Sequence, residues 1–401
     1  MKITHIHIER FRGFQNEDFE VGSLLTAIAG QNGTQKSTLL GIITQTFTLK
    51  TEDSMRVEKP LCGGSYISAF KDKFRLSPTF DKPKGHEWTI SFDAGMDDFT
   101  VESIKRTGDP NVRFWKKGAR QEGDGYISFP TIFLSLKRLV PVAEEAKIIT
   151  DDTLLTQEEL NEFKQLHNKI LIAQTPISSA TTITSKNKQS IGVSTELYDW
   201  NQNSMGQDNL GKIILALFSF KRLHDKYPRQ YKGGILAIDE MDATMYPASQ
   251  VELLKVLRKY ASKLNLQILF TTHSMSLLKA MDDLVQEVTK KEETANQAKI
   301  LYLKKVDDKI AIKQGVNFKG IQLDLNVVAE GNNRKKNRIT AYTEDKENIL
   351  FVKAILKSKA FVLDFVDVTL PCSTLMELVT KRVPAFIYPY SIVILLSLIH
   401  I

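Results

Sequence analysis

The segment at residues 30–38 reads GQNGTQKST and constrains the fold more than any other stretch of the chain. It follows the apolar run 24–29, which is typical of a buried strand, and its Lys-Ser-Thr end is typical of a helix start. Such a strand–loop–helix unit surrounds a phosphate with backbone N–H groups and adds the partial positive charge of a helix N-terminus. The sequence therefore predicts an α/β fold of the P-loop class, against the alternative of a chance glycine turn.

The residues of this loop that are expected to bind a nucleotide are Gly30, Gln31, Asn32, Gly33, Thr34, Gln35, Lys36, Ser37 and Thr38. Lys36 is expected to reach the β- and γ-phosphates and to act in catalysis, and the Ser37 hydroxyl is expected to bind Mg²⁺. Gln35 departs from the Walker A pattern, which has glycine there because glycine tolerates unusual backbone angles and close approach. We expect nucleotide binding to survive this change, since the backbone amides and Lys36 remain, while its effect on hydrolysis stays open.

A second buried strand, GGILAIDE at residues 233–240, ends in two carboxylates. Near-continuous apolar runs are typical of parallel strands, and acidic residues at their carboxyl ends fall where Mg²⁺ lies in this architecture. We expect Asp239 to hold the metal through water and Glu240 to act as general base on the attacking water. The alternative is a strand that simply ends in an acidic loop.

A third apolar strand, residues 267–272, ends in His273. A histidine at this place can hydrogen-bond the γ-phosphate or the attacking water, so His273 is a further catalytic candidate. Taken alone, a capping or packed histidine is the simpler interpretation. Its position one helix and one strand after Asp239 and Glu240 favours the catalytic role.

Residues 203–208 open an amphipathic helix that the apolar spacing predicts over 209–223. In isolation they are a serine-capped helix start. The segment resembles the signature motif of the ABC ATPases, with Met205 where a glycine usually stands. That resemblance implies that Ser204, Gly206 and Gln207 contact the γ-phosphate of ATP bound by a second subunit. It also implies that residues 241–247, which include Asp242, form the D-loop of a homodimer interface.

Three segments carry a narrower resemblance: ERFRGF at 9–14, LSLKRLVP at 134–141 and DEMDATMYP at 239–247. They resemble the DNA-associated ABC ATPases, which include SMC and RecF relatives and, more closely, the OLD (overcoming lysogenization defect) family. The resemblance covers roughly residues 1–310 and implies that Arg12 can approach the nucleotide. The chain lacks the sustained heptads of a long coiled coil, which argues against an SMC protein. It is also a poor match to transporter nucleotide-binding domains.

Residues 339–401 resemble the start of a TOPRIM fold. A strand is predicted at 339–343, a helix at 349–357 and a second strand at 361–370. The resemblance implies a divalent-metal nuclease site at Glu344, with Glu347 as a second ligand. The family usually has glycine at the position of Asp345, and its later aspartate pair is replaced by Leu396-Ser397-Leu398. We therefore expect a partial TOPRIM-like unit without nuclease activity. The alternative role for Glu344 is to cap the helix.

The predicted organisation is an ABC-type ATPase head at 1–330, a basic linker at 331–338 and the TOPRIM-like unit at 339–401. Within the head, an antiparallel β insertion is expected at 50–130 and a helical subdomain with the signature motif at 150–225. The capping box that starts at Thr156 predicts a helix start there. The Ser- and Thr-rich residues 175–200 are expected to form a loop.

The composition bounds the class of protein. The 401 residues are 42% hydrophobic and 25% charged, as in soluble globular proteins, and the net charge of +7 is compatible with nucleic acid. The two cysteines match no metal spacing, so we expect a reducing, cytoplasmic location. No signal peptide opens the chain. The apolar end at 391–401 is too short to span a bilayer, which suggests a truncated or frame-altered terminus over the alternative of a membrane anchor.

The leading hypothesis is an ATPase that uses ATP and Mg²⁺, forms a homodimer around two ATP molecules and regulates DNA processing. By resemblance, its setting would be bacterial phage defence, with a separate defence effector and no membrane partner. One rival is an ATP-sensing clamp with little hydrolysis, which Gln35 favours. Another is a RecF-like DNA repair ATPase without nuclease ancestry.

Overall fold

The structure is a computed structural model that describes residues 1–66, 73–93, 95–105, 112–118, 125–139, 148–151, 154–184, 189–330, 339–387 and 391–395. The predicted basic linker at 331–338 and the residues Leu396-Ser397-Leu398 lie outside this range. The chain divides into two compact units, Met1–Leu323 and Asp324–Ile401. Each unit is described by itself.

The strands of the first unit, in chain order, are β1 (Ile3–Phe11), β2 (Phe14–Glu20), β3 (Leu25–Gly30), β4 (Phe47–Thr48), β5 (Glu87–Phe92), β6 (Phe99–Lys105), β7 (Val112–Lys116), β8 (Ile127–Ser128), β9 (Thr131–Leu134), β10 (Ile149–Asp151), β11 (Ser179–Thr184), β12 (Gln189–Ser194), β13 (Gly234–Ile238), β14 (Leu266–Thr272), β15 (Ala298–Val306) and β16 (Lys309–Lys313). Its helices are α1 (Lys36–Thr44), α2 (Gln157–Leu171), α3 (Met205–Lys226), α4 (Pro247–Lys263) and α5 (Met275–Val288). Helix α6 (Phe318–Glu330) crosses the boundary between the units.

A six-stranded sheet in the order β16-β15-β3-β14-β13-β9 forms the centre of the first unit. All neighbours are parallel except the edge strand β16, which is antiparallel to β15. Strands β3, β13 and β14 are buried along their whole length, as expected of parallel strands covered on both faces. Their register places the carboxyl ends of these three strands side by side, so the loops that follow them meet at one edge of the sheet.

A second sheet is antiparallel, in the order β2-β1-β5-β6-β7. The strands expected as a separate insertion at 50–130 therefore complete a sheet that the N-terminal hairpin begins. Strand β1 alternates buried and exposed residues, and its register with β5 pairs Ile6 with Ile90. The buried face carries an aromatic cluster that includes Phe11, Trp88 and Phe114. This sheet packs in the same core cluster as α1.

The prediction of a loop over 175–200 was wrong, because β11 and β12 form there, and β11 pairs with both β10 and β12 in an antiparallel sheet. Threonine favours strands, and helix α3 covers β12, which is almost wholly buried. The region expected to be helical at 150–225 thus contains a sheet as well as α2 and α3. The predicted capping box at the start of α2 is confirmed, with Thr156 and Glu159 bonding reciprocally.

The second unit contains β17 (Ile339–Tyr342), α7 (Lys346–Leu356), β18 (Leu363–Phe365), α8 (Cys372–Thr380) and β19 (Ser391–Val393). Its parallel sheet has the order β18-β17-β19. The strand expected at 361–370 is shorter, because a 3-10 turn occupies Lys357–Val362. Among the described residues of this unit, one small buried cluster consists of Ala341, Val352 and Leu363, and Leu375 of α8 is buried as well.

Candidate functional site

The loop after β3 is shaped for an anion. Gln35 lies at the N-cap of α1 in a left-handed conformation, and the first turn of α1 contains no acidic residue. The Lys36 ammonium folds back over the loop and donates to the carbonyl oxygens of Gly30 at 3.0 Å and Gln31 at 2.8 Å. Burial lowers the pKa of Lys36, although Glu240, Asp239 and Asp242 oppose that shift. The loop therefore places a cation and a helix N-terminus where a phosphate would sit.

Ser37 and Asp239 come together from segments 202 residues apart in the sequence. The Ser37 hydroxyl donates to Asp239 Oδ1 at 2.8 Å, and the Thr271 hydroxyl donates to the same oxygen at 2.8 Å. Thr271 in turn accepts a bond of 2.6 Å from the backbone N–H of Glu240. A hydroxyl and a carboxylate side by side fit Mg²⁺, which uses few protein ligands and completes its shell with water and phosphate oxygens.

An open cleft of about 320 Å³ lies over this edge of the sheet. Its lining residues are Asn32, Gly33, Gln35, Lys36, Ser37, Thr38, Glu240, Thr271 and His273. The backbone N–H of His273 donates to Asp242 Oδ1 at 3.3 Å. Burial and the nearby Lys36 lower the pKa of His273, so its ring is neutral at neutral pH and can accept a hydrogen bond. The structure therefore gathers the predicted loop, general base and histidine around one cleft.

Arg12 lies beside this cleft and does not line it. Its guanidinium makes two bonds to Asp81, from Nε at 3.1 Å and from NH2 at 3.0 Å, and a longer one of 3.4 Å to the Thr38 hydroxyl. Burial opposes ionisation of Asp81, yet bonds from Arg12, the Ser77 amide and His86 lower the pKa of this carboxyl to about 2. Arg12 is thus engaged in an ion pair next to α1 in this structure.

The predicted signature residues lie apart from the cleft of their own chain. Ser204 caps α3 and accepts a bond from the Gln207 amide at 3.3 Å, while Gln207 Oε1 accepts one from the Ser204 N–H at 2.8 Å. A Cβ atom on Gly206 would lie 2.6 Å from the Thr244 carbonyl oxygen. The glycine therefore permits the first turn of α3 to pack tightly on the turn that follows β13.

Gln35 shows what replacing the Walker A glycine does locally. Its φ of 62° is in the left-handed region that glycine enters freely, and Gln35 makes no side-chain capping bond to α1. The Gln35 Oε1 atom is buried without a hydrogen-bond partner among the described residues. The backbone thus keeps the glycine-like conformation despite the side chain.

Two functional candidates escaped the sequence analysis. Thr271 pairs in register beside Asp239, and its place one residue before the end of an adjacent parallel strand is the signal that could have found it. Arg138 is buried to 2% exposure and bonds to the carbonyl oxygen of Glu240 at 2.8 Å. It stands within LSLKRLVP, but no local pattern indicated which element it would contact.

The second predicted metal site has a different environment. Glu344 is half-buried and Glu347 is exposed. Asp345 caps α7 by accepting a bond from the Asn348 amide at 2.8 Å, so the capping role considered for Glu344 belongs to its neighbour. Within the described residues no group of three or more His, Cys, Asp or Glu side chains could hold a metal ion.

No helix in the described parts of the chain is long and apolar enough to cross a membrane.

Residues 136–278 match the family model described as an AAA ATPase domain. The matched segment contains Asp239, Glu240 and His273 and thus covers the half of the cleft that follows β13 and β14. This part of the chain is therefore similar to an AAA ATPase domain. No curated protein matches the sequence.

The solved structures to which the chain is similar include two SMC head domains and a RecF protein. The SMC head domain from Thermotoga maritima has a TM-score of 0.44 and 14% identity, covering 79% of this chain and 100% of that one. An Smc head bound to the C-winged helix domain of ScpA gives 0.46 and 13%, covering 80% and 100%. The recombination mediator protein RecF of the RecFOR pathway gives 0.39 and 11%, covering 78% and 98%.

Proposed function

We propose that this protein is an ABC-type ATPase that binds Mg²⁺-ATP in the cleft between α1, β13 and β14 and hydrolyses it. The observation that carries the proposal is the bond of 2.8 Å between Ser37 and Asp239, with Lys36 beside it. Two separate segments, the start of α1 and the end of β13, supply an ammonium, a hydroxyl and a carboxylate to one site, and these are the groups that a magnesium-bound triphosphate requires.

The residues have distinct tasks in this mechanism. Lys36 exchanges its two carbonyl acceptors for phosphate oxygens and stabilises the charge that spreads over them during transfer. Ser37 and Asp239 would hold Mg²⁺, which supplies neutralising charge at the phosphates. Glu240 orients a water molecule and accepts its proton, and the neutral His273 ring accepts a hydrogen bond at the same end of the cleft.

The proposal includes a homodimer closed by ATP. Ser204 is exposed, and its oxygen accepts one bond from the Gln207 amide, which leaves its proton able to donate to a phosphate. Neither residue lines the cleft of its own chain, so a role at the phosphates requires a second copy. The turn with Asp242 would lie at that interface.

The wider setting is also proposed. DNA is the expected ligand class, supported by the net charge of +7 and by the resemblance to DNA-associated ATPases. The second unit is proposed as a partial TOPRIM-like unit of an OLD-like, cytoplasmic phage-defence protein that acts with a separate effector. Duplex DNA of mixed sequence should raise the ATPase rate and lose that effect at high salt, because phosphate contacts are salt-dependent.

A second candidate function is an ATP sensor that closes as a dimer and hydrolyses slowly. Gln35 favours it, since this residue lines the cleft at the position where the Walker A pattern has glycine. Slow single-turnover hydrolysis together with tight ATP binding is the result expected of a sensor.

Lys36→Ala tests the ATP site directly. We expect it to abolish the rise in melting temperature that Mg²⁺-ATP gives the unaltered protein, because the cation that faces the phosphates is lost. Lys279→Ala is the matched control, since Lys279 is an exposed lysine of α5 paired with Asp283. An unchanged ATP-induced shift in Lys36→Ala would refute the assignment of the phosphate site.

A further inference from the structure

A buried arginine joins three segments behind the cleft. Arg138 lies in the 3-10 turn that follows β9 and is 2% exposed. Its NH2 donates to the carbonyl oxygen of Glu240 at 2.8 Å, and its Nε donates to Asn209 Oδ1 at 2.7 Å. Its NH1 donates to the carbonyl oxygens of Leu134 and Ser135 at 3.3 and 3.1 Å. The Arg138 guanidinium thus links the end of β9, helix α3 and the turn after β13 by hydrogen bonds.

These four acceptors are neutral oxygens, which makes Arg138 unusual as a structural residue. Burying a charge is costly unless its hydrogen bonds are satisfied. Burial lowers the pKa of Arg138 to about 10, while Asp239, Glu240 and Asp242 oppose the shift. The side chain therefore remains a cation at neutral pH and keeps its donors fixed in a planar fork.

The most important contact of the Arg138 guanidinium is the one with the Glu240 backbone. Glu240 has a φ of 48°, a left-handed conformation that a residue other than glycine keeps only when its surroundings impose it. Thr271 holds the Glu240 N–H and Arg138 holds the Glu240 carbonyl oxygen, so both flanking peptide groups are fixed. Together they set the direction in which the carboxylate leaves the backbone towards the cleft.

Asn209 extends the network to helix α3. It is fully buried, and its Nδ2 donates to the carbonyl oxygen of Ala243 at 2.9 Å while its Oδ1 accepts from Arg138. Gly206, one turn earlier in α3, packs under the Thr244 carbonyl. Any shift in the first turns of α3 therefore acts on the turn that carries Glu240.

We propose that Arg138 is a positioning residue that holds Glu240 in its catalytic conformation, and that Asn209 makes this conformation depend on helix α3. The inference rests on the proposed function, in which the first turn of α3 contacts ATP in the partner subunit. Contact with that ATP would then set the general base in the subunit's own site. The network couples the two sites of the dimer through hydrogen bonds from the Arg138 cation and the Asn209 amide to neutral oxygens.

Arg138→Lys is the first test, by single-turnover hydrolysis at saturating Mg²⁺-ATP. Lysine keeps the charge but cannot donate to four acceptors in fixed directions. We expect the rate to fall at least tenfold while the Kd for ATP stays within twofold, because Arg138 does not line the cleft. Asn209→Ala should also lower the rate without changing the Kd, and it serves as the second variant if Arg138→Lys does not fold.

The double variant with Glu240→Gln separates positioning from general structural damage. If Arg138 acts through Glu240, adding Arg138→Lys to Glu240→Gln should change the residual rate by less than twofold. Arg222→Lys is the control, since Arg222 is an arginine of α3 that pairs with Glu159 away from the cleft. It should hydrolyse ATP at the rate of the unaltered protein.

Three outcomes would overturn the inference: an unchanged rate in Arg138→Lys, a weakened Kd that accounts for the whole loss, or a full tenfold further loss in the Glu240→Gln background. A normal rate in Asn209→Ala would remove the dependence on α3. These results leave the ATPase itself intact. Absence of hydrolysis in the unaltered protein would instead refute the proposed function and the inference with it.

Discussion

Asp239 and Glu240 follow strand β13, and Glu344 follows strand β17, so both sets of carboxylates occupy the same place relative to a parallel sheet. Their surroundings differ. Asp239 accepts two hydroxyl bonds, and the Glu240 backbone is held on both sides. No side-chain hydrogen bond of Glu344 or Glu347 occurs among the described residues.

The difference shows that a carboxylate after a strand becomes a site only when neighbouring strands bring it partners. Strand β13 lies between β14 and β9 in a six-stranded sheet, with β3 and its loop one strand beyond β14. Strand β17 lies between two strands of three residues each over a small core. A phosphate loop and two hydroxyls bonded to the carboxylate are present in the first case, whereas in the described part of the second unit the neighbouring Thr343 hydroxyl donates to the Asp345 carbonyl oxygen and not to Glu344.

Replacing one glutamate in each region by glutamine should give the largest difference between the regions, measured as the rate of ATP hydrolysis. Glu240→Gln keeps the shape but cannot accept a proton, so we expect hydrolysis to fall about a hundredfold or more, with ATP retained and a dimer accumulating. Glu344→Gln should change the rate by less than about twofold, within the range of a residue outside the reaction. Single-turnover hydrolysis and size-exclusion chromatography with ATP measure both. A monomeric Glu240→Gln variant with normal turnover would remove the general-base and the dimer assignments together.

The same contrast explains how much the sequence could predict. Strands β3, β13 and β14 could be predicted from the sequence because full burial requires apolar runs. The loop after β3 could be predicted because phosphate binding restricts its composition. Local order thus predicted the loop from Gly30 to Thr38 and the pair Asp239 and Glu240, which the structure brings together at one edge of the sheet.

The interactions that sequence patterns missed depend on distant segments. Arg138 and Asn209 are 71 positions apart, and nothing local in either indicates the other. Strands β11 and β12 contain many serine and threonine residues, and β12 is buried because α3 packs against it, which no residue within the loop-like segment indicates. Strands β5 to β7 likewise gave no sign that they would extend the sheet of β1 and β2.

Truncating one buried valine in each unit should show whether the two units differ in local stability. Val352 of α7 and Val288 of α5 are both buried, and truncation of either to alanine costs about 2 kcal/mol of local packing. In Val352→Ala we expect amide exchange over β17, β18 and α7 to become fast, because the cluster of Ala341, Val352 and Leu363 is small and has little stability in reserve. In Val288→Ala the exchange of β13 and β14 should stay slow. Equal effects of the two variants would contradict the difference between the units.

The smallest expected effect concerns Gln35, at the border between the loop and α1. Gln35→Gly relieves a left-handed conformation and removes an unpaired buried oxygen, and it loses part of this gain through the added freedom of the unfolded chain. We expect a net stabilisation of about 1 kcal/mol, measured by urea unfolding. We also expect faster single-turnover hydrolysis, since glycine restores the Walker A residue at a position that lines the cleft. Lys84→Gly is the control, because Lys84 has a φ of 60° at an exposed site outside the cleft, so only backbone relief applies there. Equally slow hydrolysis in Gln35→Gly and in the unaltered protein would contradict the proposal that Gln35 slows hydrolysis. The slow rate would then be attributed to the conformation of the turn at Glu240.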